Sequence, residues 1–198
     1  MGFSYKTSWV AVRDRTTVDV ADALRLTERV SCSFAEGTTL AYKYGIYVTA
    51  PISGWVLAHG RDLAFGINET SPAFIDWLAT ISASLGEVQY FGTHRVSDWH
   101  QWASAKGGVI LRAYATADAD VPIFIGEPTP AEVELGIGTR GREPGRDDWD
   151  EREWDEWFKT TPHEGDVMEV AARWSVDPSH IKDSDVAIDG IFGRPQAT

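Results

Sequence analysis

The chain has one cysteine, two methionines and no long apolar run, and each scarcity removes a class of protein. A lone Cys32 excludes an internal disulfide framework and a cysteine-rich zinc site. No stretch approaches the roughly 20 apolar residues that a membrane-spanning helix needs, so no membrane partner is expected. The opening MGFSYKTSWVAVRD lacks the continuous apolar core of a secretory leader. The expectation is a cytoplasmic protein in a reducing compartment. Basic residues are scarce too: 18 Lys and Arg face 30 Asp and Glu, for a net charge of −12. The imbalance is uneven, because residues 1–140 carry 11 basic and 15 acidic side chains while residues 141–198 carry 7 and 15. Phosphate contacts require Lys and Arg, so nucleic acid is not an expected partner.

Signatures of catalysis are also missing. No GxSxG elbow, Walker-type phosphate loop or GxGxxG fingerprint occurs. GIGTRG (136–141) has the glycines but neither the preceding strand nor the following apolar helix of a dinucleotide site. HGRD (59–62) lacks the asparagine and the other landmarks of a kinase catalytic loop. No cofactor is therefore expected. Cys32 sits in the strand-like RVSCSF with no adjacent Lys to lower its pKa, and reads as a small core residue.

What the chain does have is aromatic bulk. Nine tryptophans and a hydrophobic content of 43% over 198 residues suit a folded globule with a real core. SWVAVRD (8–14) reads as a strand, and the following TTVDVADALRL as a helix capped by Thr16 or Thr17. The stretch from Arg29 to Gly60 reads as three strands, broken at Glu36-Gly37 and at Pro51 through Gly54. TSPAFIDWLATISASLG (70–86) predicts a core-facing helix. Thr70 or Ser71 would cap it, Pro72 would open it, and Gly86 would end it. From Glu87 to Thr129 the pattern is an antiparallel meander with a hairpin at Lys106-Gly107-Gly108 and Pro122 at an edge. A short helix follows near 130, then a Gly/Arg-rich linker over 136–146. Beyond it the chain reads as helical, with TPHEGDVMEVAARW opening on a Thr161–Glu164 capping box. Together these predict an α+β fold in which helices on one face pack an antiparallel sheet. The expected parts are a core of residues 1–140 and an acidic helical region, 141–198, folded on it.

Two clusters suggest chemistry. His94, Asp98 and His100 would project to one side of a fully extended strand, a His/Asp/His facet that a small enzyme, metal-dependent or not, could use. VAARWSVDPSHI (170–181) has the cadence of a helix-turn-helix, but the acidic DPSHIKDSDVAIDG that follows argues for a packed terminal helix.

The second cluster is GRDDWDEREWDEWF (145–158), with seven carboxylates and four aromatics in fourteen positions. On a helical wheel Trp154, Trp157 and Phe158 form an apolar seam and Trp149 lies off it. The expectation is a docked helix whose Asp150, Glu151, Glu153, Asp155 and Glu156, with the off-seam Trp149, meet a basic protein surface.

The stretch LGEVQYFGTHRVSDWHQWASAKGGVILRAYATADADVPIFIGEPTPAE (85–132), with GDVMEVAARWSVDP (165–178), resembles a family of small uncharacterised bacterial proteins. In size, charge and composition the chain resembles, more loosely, the immunity proteins of bacterial polymorphic toxin systems. That second resemblance implies a toxin inhibitor that occludes the active cleft of its cognate effector.

Overall fold

The computed structural model describes residues 2–3, 5–63, 72–117, 120–141, 148–186 and 188–196. Among them, nine strands form one sheet: β1 (Thr7–Arg13), β2 (Leu26–Cys32), β3 (Ile46–Val48), β4 (Trp55–His59), β5 (Glu87–His94), β6 (Trp99–Lys106), β7 (Val109–Ala117), β8 (Asp120–Ile125) and β9 (Gly190–Pro195). The order is β2-β9-β3-β4-β1-β5-β6-β7-β8, and every neighbouring pair is antiparallel. Six helices accompany it: α1 (Thr17–Ala23), α2 (Phe34–Ala41), α3 (Pro72–Leu85), α4 (Pro130–Leu135), α5 (Glu151–Phe158) and α6 (Glu164–Trp174). The fold is α+β.

Alternation along the strands divides the core in two. From Thr7 to Val12 every residue of β1 is buried, because both faces of the sheet are covered. Val10 and Val12 join Val56, Ala58, Val88 and Tyr90 on the face packed by Val20 of α1 and by Phe74, Leu78, Ile81 and Leu85 of α3. Trp9 and Ala11 join Leu57, Phe91, Trp102 and Tyr114 on the other face. There they meet Phe34 of α2, Trp157 of α5 and Val167, Val170 and Ala171 of α6. Helices α1 and α3 share one face, as the sequence pattern predicts. The second face is covered by α2 as well as by the C-terminal region.

Local chemistry accounts for most boundaries. Thr16 caps α1, its hydroxyl accepting from the Asp19 amide while the Asp19 carboxylate accepts from the Thr16 amide. Gly86, at φ +87, ends α3, and its amide donates to the Ser82 carbonyl at 2.8 Å. The predicted caps Thr70 and Ser71, and linker residues 142–147, lie outside the described residues. Gly107 and Gly108, at φ +58 and +89, make the two-residue turn between β6 and β7. Pro122 lies on β8, an outer strand that makes no ladder on one side.

Three expectations change. Residues 34–41 are helix rather than strand and turn, because Ser33 and Glu36 form a reciprocal capping box. Gly37 serves packing there: a Cβ would sit 2.1 Å from the Tyr47 ring. Helix α6 starts later than the Thr161 box predicts, since the Asp166 carboxylate accepts from the His163 amide at 2.7 Å. The C-terminal region is also not wholly helical. Its last segment, β9, lies between β2 and β3, pairing Phe192 with Val30 on one side and Tyr47 on the other. Residues 1–140 and 141–198 therefore share one sheet.

The corner where the chain leaves β8 is held by buried charge. Arg112 of β7 is 1% exposed and Glu132 of α4 is fully buried, with Nη2 and Oε1 2.7 Å apart. The remaining Arg112 donors reach the carbonyls of Ile125, Gly126 and Gly138. Glu132 also accepts from Trp102 Nε1 at 2.9 Å and from the Thr129 amide and hydroxyl, each at 2.8 Å. A buried pair with its hydrogen bonds filled is stable mainly against loss of one partner. Glu132→Ala should lower unfolding stability in urea by about 3–5 kcal/mol. Arg112→Met with Glu132→Leu together should lose much less; equal losses would mean the network is ordinary packing.

Candidate functional site

The acidic segment forms its helix through a complete set of N-terminal devices. Asp150 is the cap: its carboxylate accepts from the Glu153 amide at 2.9 Å, and Glu153 accepts from the Asp150 amide at 2.8 Å. Trp149 precedes the cap and Trp154 follows four positions after it. Their rings meet at 5.1 Å and 67°, a hydrophobic staple that fixes how the chain enters the helix. Trp149 also lies 5.6 Å from the ring of Trp157, which is 3% exposed and belongs to the core.

This arrangement exchanges the roles of two aromatics. The wheel puts Phe158 in the docked seam and Trp149 outside it. In the structure Trp149 is half-buried against Trp154 and Trp157, while Phe158 stacks on Trp154 at 5.8 Å and 27° but is 51% exposed. The cause is local. A wheel applies only to helical residues, and Trp149 lies before the cap, where the chain can fold back. Phe158 is one residue past Trp157 and points about 100° away from it.

The carboxylates divide in the same way. Asp150 and Glu153 are committed to capping. Glu151, Asp155 and Glu156 are exposed, and none pairs with a cation among the described residues. Glu153 and Glu156, with Trp149 and Arg140, line a shallow depression of about 250 Å³.

The structure does not assemble His94, Asp98 and His100 into one facet. The chain turns through residues 95–97 and takes a left-handed conformation at Asp98, φ +43, so the fully extended geometry fails. The register pairs Thr93 with His100 and His94 with Trp99, which sends the two imidazoles to opposite faces. Asp98 and His100 do meet, at 3.4 Å, and His100 Nδ1 lies 3.0 Å from the Thr93 hydroxyl. This hydroxyl–imidazole–carboxylate chain is closed to a substrate, since Thr93 and His100 are 1% and 2% exposed. Burial lowers the His100 pKa, opposed in part by Asp98. Among the described residues, no three His, Cys, Asp or Glu side chains converge as metal ligands. Cys32 is buried at the end of β2, and desolvation raises its pKa, with Glu36 and Asp189 adding to the effect.

One buried histidine has no signal in the sequence beyond HGRD. His59, at the end of β4, is fully buried and stacked on Phe3 at 3.9 Å and 12°, with Tyr42 edge-on at 5.7 Å. Neither ring nitrogen has a hydrogen-bond partner among the described residues, and burial pushes its pKa down to about 3.

No helix among the described residues is long and apolar enough to cross a membrane. No protein-family model, curated protein or solved structure matches the chain.

Two outcomes follow from this geometry. Trp149→Ala should destabilise the fold by about 1–3 kcal/mol in thermal or urea unfolding, and Phe158→Ala by less than about 0.5 kcal/mol. Because burial holds the folded His59 well below the ordinary imidazole pKa of 6.5, the unfolded chain binds the proton first. Stability from this group is intact above pH 6.5 and falls toward pH 3 by up to about 1.4 kcal/mol per unit. His59→Phe should remove that slope; identical pH profiles for the two proteins would contradict the buried neutral state.

Proposed function

We propose that the chain is a toxin-neutralising binding protein of the immunity type, which occludes the active site of a cognate bacterial effector with a basic surface. The contact is made by the outward face of α5. The observation that carries this reading is the position of Asp155 and Glu156. Asp150 and Glu153 cap the helix, and Glu151 lies in the first turn, where the helix dipole favours an acid. Asp155 and Glu156 lie at the opposite end, where the dipole disfavours acids by about 0.3–1 kcal/mol each. Neither forms an ion pair with a described cation, although Arg140 borders the depression beside Glu156 and Lys159 follows at the C-cap. A basic partner supplies the close pairing that the fold lacks.

Exposed Phe158 stands beside these acids and offers an apolar anchor within a charged rim, the combination that concentrates binding energy. The half-buried Trp149, bordering the shallow depression with Glu153 and Glu156, can receive a Lys or Arg side chain over its ring. The resemblance to immunity proteins in size and charge supports the same reading. The reading sets the protein in the cytoplasm, without a cofactor and with neither nucleic acid nor membrane as partner.

The reading predicts a toxic effector domain encoded beside this chain's gene, and the test measures binding to it. Reversing Glu151, Asp155 and Glu156 together to Lys should weaken binding about tenfold or more. Wild-type affinity should fall as ionic strength rises from about 0.05 M to 0.3 M. Unchanged affinity in the triple variant would sink the assignment to α5, and absence of binding by the wild-type chain would sink the immunity reading itself.

A further inference from the structure

A different part of the molecule has the opposite charge. At one end of the sheet, where β1 begins and β4 and β5 end, lies a partly enclosed pocket of about 410 Å³. Lys6, Arg61 and His94 line it, with Thr7, Ser8 and Tyr42. Its described lining holds no carboxylate, in a chain of net charge −12. Neither Lys6 nor Arg61 forms an ion pair with a described residue. Asp62, the acid next to Arg61, is engaged elsewhere and accepts from the Gly45 amide at 2.8 Å.

Two local details bear on the pocket. Lys6 adopts φ +56, a left-handed conformation that non-glycine residues rarely take and that tends to mark sites where a side chain must be aimed. The Ser97 hydroxyl donates to the His94 carbonyl at 3.2 Å and so accepts from His94 Nδ1 at 2.8 Å. With that proton on Nδ1, the open Nε2 of the neutral ring presents a lone pair, so His94 borders the pocket without donating into it.

We propose that this pocket binds a phosphate monoester of a small organic molecule. Two cations without a carboxylate partner, Lys6 and Arg61, match a dianion better than a singly charged carboxylate. The Arg61 guanidinium can take two phosphate oxygens in parallel. The volume exceeds that of phosphate alone and lies in the range of small-molecule sites. The organic body lies against Tyr42, whose ring is 38% exposed and is braced edge-on by His59. The overall negative charge disfavours a nucleic-acid backbone as the source of the phosphate.

Calorimetric titration of the full chain with phenyl phosphate, inorganic phosphate and benzoate tests the proposal. Phenyl phosphate should bind one site per chain, with inorganic phosphate and benzoate each about tenfold weaker or more. Lys6→Gln and Arg61→Gln, both at exposed positions, should each weaken phenyl phosphate about tenfold. Tyr42→Ala should weaken phenyl phosphate and leave inorganic phosphate unchanged. Lys159→Gln, on the C-terminal side of α5, should alter neither. No saturable binding at millimolar ligand, equal binding of benzoate, or full binding by Arg61→Gln would each overturn it. These results are independent of toxin binding through α5.

Discussion

The final strand of the chain is an interior strand, and much of the molecule's form follows from that constraint. β9 sits between β2 and β3, so without it β2 has no neighbour and β3 loses one side. It enters the sheet seven strand positions away from β8, a separation of roughly 34 Å at ordinary strand spacing. The chain between β8 and β9 must therefore cross a face of the sheet. It buries Ile137, Trp157, Val167, Val170, Ala171 and Ile181 along the way. The C-terminal region is a strap that closes one core and finishes the sheet, and α5 is the part of the strap that shows most acid to solvent.

Polar contacts hold the strap at its start and again along α6. At its start, Arg112 and Glu132 join β7 to α4 and draw Trp102 and the carbonyls after β8 into one filled network. Further on, Gln89 of β5 donates to the Trp174 carbonyl at the end of α6, and Arg173 reaches Glu134 of α4 and Glu169 of its own helix. Such contacts select a single placement of the helices on the sheet. Hydrophobic burial alone, being non-directional, would leave their placement less defined.

The sequence was most legible where chemistry is local. The Pro72 opening and Gly86 ending of α3, the Thr129-Pro130 start of α4 and the Gly107-Gly108 turn depend on neighbouring residues, and all are present. It was least legible where pairing is long-range. β9 is six residues in a Gly- and Asp-rich context, and its strand character comes from β2 and β3, some 140 to 170 positions away. α2 was readable in principle, because Ser33-x-x-Glu36 is a capping signal, but the β-branched and aromatic residues around it hid that signal. The His94–His100 facet failed because the turn through 95–97 and the left-handed Asp98 change which face is reached. The exchange of Trp149 and Phe158 came from applying helical periodicity beyond the helix.

What remains for function is a division of charge. Most acids of α5's first turn have structural work, whereas those of its last turn have none that the fold supplies. The basic pocket at the far end of β1 and β5 is a second feature that packing does not require. The first rests on the C-terminal region being one cooperative body with the sheet, so that α5 is presented on a fixed base. Native-state hydrogen exchange tests this most directly. The account predicts that the amides of Ile191 and Phe192 in β9 and of Val170 and Ala171 in α6 exchange only through global unfolding, with the same free energy as Val10 in β1. Rapid exchange in β9 and α6 beside a protected β1 would contradict it.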